Sequence, residues 1–349
     1  MRLRIASYNV EWFNSLFDRD GRMQPDLEPS ARYGVTREEQ LGALGVVFTA
    51  LDADVVMIIE APDSRRNRRT TDMLERFAAH FGLRARAAVM GFANETQQEI
   101  AALYDPDRVT LIHDPHEDAV PRFDGRYEID LDTDGTPEKV RFSKPPLELA
   151  LTTAEGHRLR LIGVHVKSKA PHGATSPASE IRLAIENRRK QQAQCLWLRA
   201  RVEADLAAGE DLLVMGDFND GPGLDEYEEL FGRSGLEIVL GVGGPPALRL
   251  QEPFATAALR HPTAAAPVSA RFWLADAHQY FSALLDYIML APSLCAADPR
   301  WRIWHPFDDP ACYRVPELRE ALLQASDHFP VTVDLDLPTV FPSPAPQAG

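Results

Sequence analysis

The chain has 349 residues, 45% of them hydrophobic, and a formal net charge of −15. That length and apolar content suffice for a full core, and no run of about 18 apolar residues is present to cross a membrane. So acidic a chain repels polyanions at long range, which counts against tight metal-free binding of nucleic acid but not against an enzyme that meets phosphate through a divalent cation.

In chain order, the first strand-like run is Leu3 to Val10, entered without the apolar segment of a secretory signal. The residues present are read as cytoplasmic, with a processed mature chain as the alternative. Thr36 to Leu51 reads as a helix: Thr36 and Glu39 have capping-box spacing, and Leu41, Leu44, Val47, Phe48 and Leu51 recur at helical intervals. Strands are expected at Val55 to Ile59, Ile100 to Tyr104 and Val109 to Ile112. Glu117 to Glu138 is acidic, carries Gly125 and Gly135, and reads as an exposed loop or hairpin. Strands Leu147 to Thr152 and Leu159 to Val166 precede a long helix over Ser179 to Ala208, with Ile181, Ile185, Leu196, Leu198 and Val202 as its apolar positions. Leu212 to Met215 is a buried strand, Gly241 to Pro267 an irregular excursion, and Leu284 to Leu290 and Pro330 to Leu335 are the last strands. A Pro-rich tail, 338–349, reads as disordered and leaves 1–337 as the folded part. Cys195, Cys295 and Cys312 are too far apart for a CxxC pattern and read as buried free thiols.

Short, wholly apolar strands indicate sheets covered on both faces, and the mixture of helical and hairpin connections indicates α/β or α+β layers. The strand ends are polar. They read Ser7-Tyr8-Asn9-Val10-Glu11, Ile59-Glu60, His165-Val166-Lys167-Ser168-Lys169, Gly216-Asp217-Phe218-Asn219-Asp220, Asp286-Tyr287 and Ser326-Asp327-His328. Any one of these could be a turn former or a satisfied core group, but six in one chain point to chemistry. Mg²⁺ and Mn²⁺ prefer oxygen ligands, which suits Glu60 and Glu11. Phosphoester hydrolysis needs a group to deprotonate water, for which Asp217 is the candidate. It also needs donors to phosphoryl oxygens, which Asn9, Asn219, His165 and His328 can supply, with Asp286 as the partner of His328.

In this order the motifs resemble the endonuclease/exonuclease/phosphatase superfamily, in its deoxyribonuclease I-like, bacterial nuclease-like branch. The match runs from residue 7 to residue 331. The resemblance implies a four-layer α/β/β/α sandwich, two mixed sheets face to face with helices outside, in a single domain. It implies Glu60 as principal metal ligand, with Glu11, Asn9 and Asp327 close to the metal, which is Mg²⁺ or Mn²⁺ with Ca²⁺ as a further option. It places Asp217 on the attacking water, Asn219 on the phosphate, His328 with Asp286 on the transition state, and His165 as a second catalytic histidine supported by Glu99. Glu11 stands where many relatives have Asp. Lys144 stands for the usual Arg, keeping the charge but losing the bidentate fork.

Arg65, Arg66, Arg68 and Arg69 follow Glu60 closely and read either as a solvated loop or as a clamp on neighbouring phosphates. Lys167 and Lys169, with Arg188 to Lys190, could extend a phosphate track. Trp12 and Phe13 read as core side chains before base-stacking ones. The first functional reading is a monomeric metal-dependent nuclease acting on DNA, then RNA. The second is a phosphatase or phosphodiesterase for a small molecule, inositol phosphate or lipid headgroup, and the third a non-catalytic binding protein on the same fold.

Overall fold

The computed structural model describes residues 1–131, 136–171, 173–223, 225, 228–230, 232–261, 265, 267–274 and 278–338. The proposed tail therefore lies outside the described residues, apart from Pro338. The chain begins with β1 (Arg2–Asn9), α1 (Arg37–Leu51), β2 (Val55–Ala61), α2 (Thr70–His80), β3 (Ala87–Met90), β4 (Glu99–Tyr104) and β5 (Val109–His113). A small ribbon, β6 (Tyr127–Ile129) with β7 (Glu138–Val140), lies in the expected acidic hairpin region. Then come β8 (Leu147–Thr153), β9 (Arg158–His165), α3 (Pro177–Ala208) and β10 (Leu212–Asp217). The last part holds α4 (Gly235–Leu240), α5 (Pro253–Arg260), β11 (Ala270–Leu274), β12 (Gln279–Ala283), β13 (Asp286–Leu290), β14 (Arg300–Ile303), α6 (Pro310–Tyr313), α7 (Pro316–Ala325) and β15 (Val331–Asp336).

Two sheets carry the fold. One has six strands in the order β14-β15-β1-β2-β4-β3, the other five in the order β13-β10-β9-β8-β5. Both are mixed: β1 runs parallel to β2 and β9 parallel to β10, while their other neighbours are antiparallel. The sheets meet face to face through β1 against β10 and β13, and β2 against β9 and β10. The approach is close enough to dictate sequence. A Cβ on Gly163 of β9 would lie 2.4 Å from the sulfur of Met57 on β2, so any larger residue there would push that side chain aside.

Helices α1, α2 and α7 cover the six-stranded sheet, and α3 and α4 lie together over the other. Thr36 caps α1 with the reciprocal Glu39 bond, as the spacing predicts. Ser176 caps α3 three residues before the expected start. Apolar residues from Leu3 to Leu337 join in one core. Gly241 to Pro267 is more regular than expected, since its Glu252 caps α5. Ile181 is exposed rather than part of the apolar face, and Cys295 is exposed rather than buried. Among the described residues no helix is long and apolar enough to cross a membrane.

Candidate active site

The polar strand ends meet at one edge of the sandwich because of register. Asp217 on β10 is opposite His165 on parallel β9 and opposite Asp286 on antiparallel β13. Directly paired residues point to the same face, so three strands deliver His165, Asp217 and Asp286 as one row. Gly216 makes this possible: its φ is +139° and a Cβ there would lie 2.0 Å from the Val164 carbonyl oxygen. From the facing sheet, Asn9 ends β1 opposite Ile59. Glu60 follows at a bulge in β2, with φ at +63°. Asn219, also in the left-handed region at +49°, turns back toward Asp217.

Asp217 accepts from Asn219 N (2.7 Å), Asn219 Nδ2 (3.1 Å) and Asn9 Nδ2 (3.1 Å), and His165 Nε2 lies 3.5 Å away. Burial pushes its carboxyl up to about 7, against the pull of His328. The two histidines differ. Burial holds His165 well below its ordinary value, reinforced by Lys144, His328 and Lys167, so it is neutral. Burial also opposes a charge on His328, but Asp286, 2.7 Å from Nδ1, together with Asp217 and Asp327, lifts it well above the ordinary value. Lys144 Nζ lies 3.1 Å from both ring nitrogens of His165 and donates to the unprotonated one.

An oxygen-rich corner adjoins this row. Burial raises Glu60. Burial also lifts Asp327 to about 7, with repulsion from Glu11 and Glu60 adding to it against the pull of His328. The buried Asn9 Oδ1 has no hydrogen-bond partner. Crowded carboxylates beside an unpartnered amide oxygen are a donor set that fits a hard divalent cation. Atoms of Asp217, Asp286 and His328 also converge within 4.8 Å. There the His328 Nδ1 is already engaged by Asp286 at 2.7 Å, and the three carboxylates around the ring favour its charged form, which binds no metal.

Several expected residues stand elsewhere. Glu99 does not support His165; it is buried in β4 and accepts from Asn94 N and Nδ2. Arg68 is no phosphate clamp. It is buried against Asp63, Asn14 Oδ1 and the Asp18 carbonyl. Arg65 also bonds Asp63 but stays half exposed, while Arg66 and Arg69 are exposed. Lys169 lines the cleft but is held by Asp220 and by Glu228 at 2.5 Å, and Arg188 is held by Asp225. Glu11 does line the cleft beside Glu60 and Asp327, with its carboxylate bonded to Arg32 at 2.6 Å. Lys144 and Lys167 line the cleft. Trp12 is 46% exposed there, whereas Phe13 is buried as expected.

Other contributors escaped sequence reasoning. Ser326 Oγ donates to the Asn9 carbonyl and accepts from Glu11 N and His328 N, tying both chain halves together. Ser269 Oγ donates to Asp286 Oδ2 at 2.8 Å and fixes that carboxylate. Gln191, on α3, donates to the Lys167, Phe218 and Asn219 carbonyls. Apolar–polar patterning carries no mark of these roles; only the Ser-Asp-His sequence around Ser326 hinted at one.

A carboxylate steadied by three hydrogen bonds, next to a cationic imidazole, is equipped to direct water at an electrophile bearing anionic oxygens. That is the work of hydrolases acting on phosphoester bonds. The model of the Endonuclease/Exonuclease/phosphatase family matches residues 6–328, and the chain belongs to that family. No curated protein matches it. Similar solved structures include D. rerio TDP2 complexed with single strand DNA product, 13% identical over 95% of this chain and 98% of that one, with a TM-score of 0.50. They also include the Neisseria 3' phosphatase NExo bound to a product DNA hairpin (16%, 96% and 100%, 0.49). A third is the human Nocturnin catalytic domain with bound sulfate (14%, 95% and 93%, 0.46). At these identities the likeness is one of fold.

Proposed function

We propose that this protein is a Mg²⁺- or Mn²⁺-dependent nuclease that hydrolyses a DNA phosphodiester by in-line attack of water. The observation that carries the reading is an open cleft of about 1600 Å³ in which the polar floor is flanked by Trp12, Tyr33, Trp273, Tyr280 and Phe281. A phosphate alone needs no such ring surface, whereas nucleobases stack on it. TDP2, which has the same fold, was solved with a single strand DNA product.

In this reading Asp217 takes the proton of the attacking water, and Asn219 and Asn9 fix the orientation of its carboxylate. His328, held cationic by Asp286, donates from Nε2 to the oxygen on which charge builds. Neutral His165 and the ammonium of Lys144 hold a second phosphoryl oxygen. Glu60, Asp327 and Asn9, with Glu11, would hold the cation, which when bound neutralises phosphate charge.

One observation favours the small-phosphoester reading instead. Arg68, Lys169 and Arg188 are engaged by carboxylates, so the cationic track beyond the floor is short. A panel with Mg²⁺ or Mn²⁺ separates the two, using single-stranded DNA, duplex DNA, RNA and inositol phosphates. The expected result is cleavage of DNA that EDTA abolishes. Turnover of inositol phosphates with none of DNA or RNA rejects the nuclease.

A further inference from the structure

The ribbon β11–β12 stands apart from both main sheets. Its register pairs Arg271 with Ser282, Phe272 with Phe281 and Trp273 with Tyr280. Paired residues share a face and neighbours alternate, so both faces of this ribbon are aromatic. Tyr280 and Phe281 remain about half exposed. The base of the ribbon is fastened to the floor: Arg271 N donates to the Asp327 carbonyl at 2.7 Å, and Ala270 bridges His328. On one face the Phe272 ring meets the His328 imidazole edge-on at 5.4 Å. On the other, the Arg271 guanidinium covers Tyr280 at 3.6 Å, and Tyr280 meets Trp273 at 5.1 Å.

Trp273 then faces a ring from a distant part of the chain. Tyr33 lies nearly parallel to it, at 11° and 5.9 Å between centroids. Tyr33 is 74% exposed, too open to be a core residue. Its neighbour Arg32 is fixed to Glu11 and to the Leu323 carbonyl, so the backbone is anchored while the ring projects into the cleft. Two rings that hold a third at the about 3.4 Å stacking distance on each side stand about 6.8 Å apart. The 5.9 Å between centroids is an upper limit on the gap between the Tyr33 and Trp273 planes, so the two rings pack on each other and must part by about 1 Å or more to admit a base, with the exposed Tyr33 as the ring that has room to move.

We propose that Tyr33 and Trp273 are a two-ring clamp for one unpaired nucleobase next to the phosphate being cleaved. The clamp rests on the nuclease reading and sharpens it to single-stranded or frayed substrate. A base inside a duplex has both faces covered by its neighbours and cannot enter between two rings. Stacking also needs no cationic track, which suits a chain of net charge −15.

The test uses the full chain with Mg²⁺ and a short single-stranded oligonucleotide, scanned position by position with an abasic nucleotide. In the wild type, one position beside the cleavage site should raise KM about tenfold or more when its base is removed. Tyr33→Leu and Trp273→Leu should raise KM similarly on the intact strand, with no further loss on that abasic strand, and Tyr33→Phe should restore binding. With Asp217→Asn, 2-aminopurine at that position should be quenched on binding, and quenching should vanish when Trp273→Leu is added. If the abasic and side-chain losses multiply, or if both Leu variants cleave the strand like the wild type, the clamp is overturned while the nuclease stands. If the wild type cleaves duplex DNA but no single-stranded oligonucleotide, the clamp is likewise overturned while the nuclease stands; if it cleaves neither, nor RNA, the nuclease reading fails and takes the clamp with it.

Discussion

At the floor of the cleft, His165, Asp217 and Asp286 stand in register on three adjacent strands, buried and hydrogen-bonded. At the rim, Trp12, Tyr33, Tyr280 and Phe281 stand on loops and a lone ribbon, with about half or more of each side chain in solvent. The floor is set by backbone pairing, which fixes positions to a fraction of a residue. The rim is set by side chains that little else holds. The contrast assigns reaction chemistry to the sheets and substrate choice to the connections.

Variants can break that division. Asp217→Asn should lower kcat by about 10³- to 10⁴-fold without lowering the melting temperature; turnover near wild type would remove Asp217 as the base. His328→Ala should cost about 10²- to 10³-fold in kcat, and a variant that loses only affinity would move His328 from the floor to the rim. Arg68 belongs to neither region, being buried against Asp63. Arg68→Ala leaves Asp63 buried without its main partner and should cost about 3 kcal/mol of stability in urea melts. In contrast, the triple change of Arg65, Arg66 and Arg69 to Ala should leave stability alone and flatten the salt dependence of KM for DNA. If instead Arg68→Ala changes the salt slope and not stability, its assignment as a structural group is wrong.

The smallest effect lies away from both regions, at Glu252, which caps α5. Burial lifts its carboxyl to about 8, above the unfolded value. Between about pH 4.5 and 8 the folded state therefore holds a proton that the unfolded state has released. Its stabilising contribution is complete below that window and is lost as pH rises through it. Glu252→Gln, which keeps the capping oxygen, should lift the melting temperature at pH 8 by about 4 °C relative to wild type, with no gain at pH 4. Equal shifts at both pH values would locate the effect in packing rather than protonation.

Much of the floor was legible because apolar runs that stop at Asn, Glu, Asp or His mark strand ends, and α1 carried a capping-box signal. Pairing was not legible. Nothing in the residues near 165, 217 and 286 says that they lie side by side, and only family resemblance joined them. The rim was least legible. The β11–β12 ribbon is aromatic on both faces, so it lacks the apolar–polar alternation that betrays a half-buried strand. Arg68 reads like its exposed neighbours because burial against Asp63 depends on a loop that folds back on itself. Glu99 was assigned by position before a hairpin strand, and position does not say which way a buried carboxylate turns. Helices α2 and α7 hold their apolar residues in short stretches interrupted by charge, and Ser269 sits just past the segment read as irregular, in a stretch given no element.

The strand order carries a consequence for how the protein becomes active. β15, the last strand in sequence, inserts between β14 and the first strand, β1. The single hydroxyl of Ser326 then joins Asn9, Glu11 and His328. Contacts of such sequence separation are late and slow to form, and any partial fold that lacks β15 has the base without its cationic partner. Hydrolysis is thus a property of the closed chain alone. A refolding experiment that follows turnover should lag one that follows secondary structure, with the docking of β15 as the step between them.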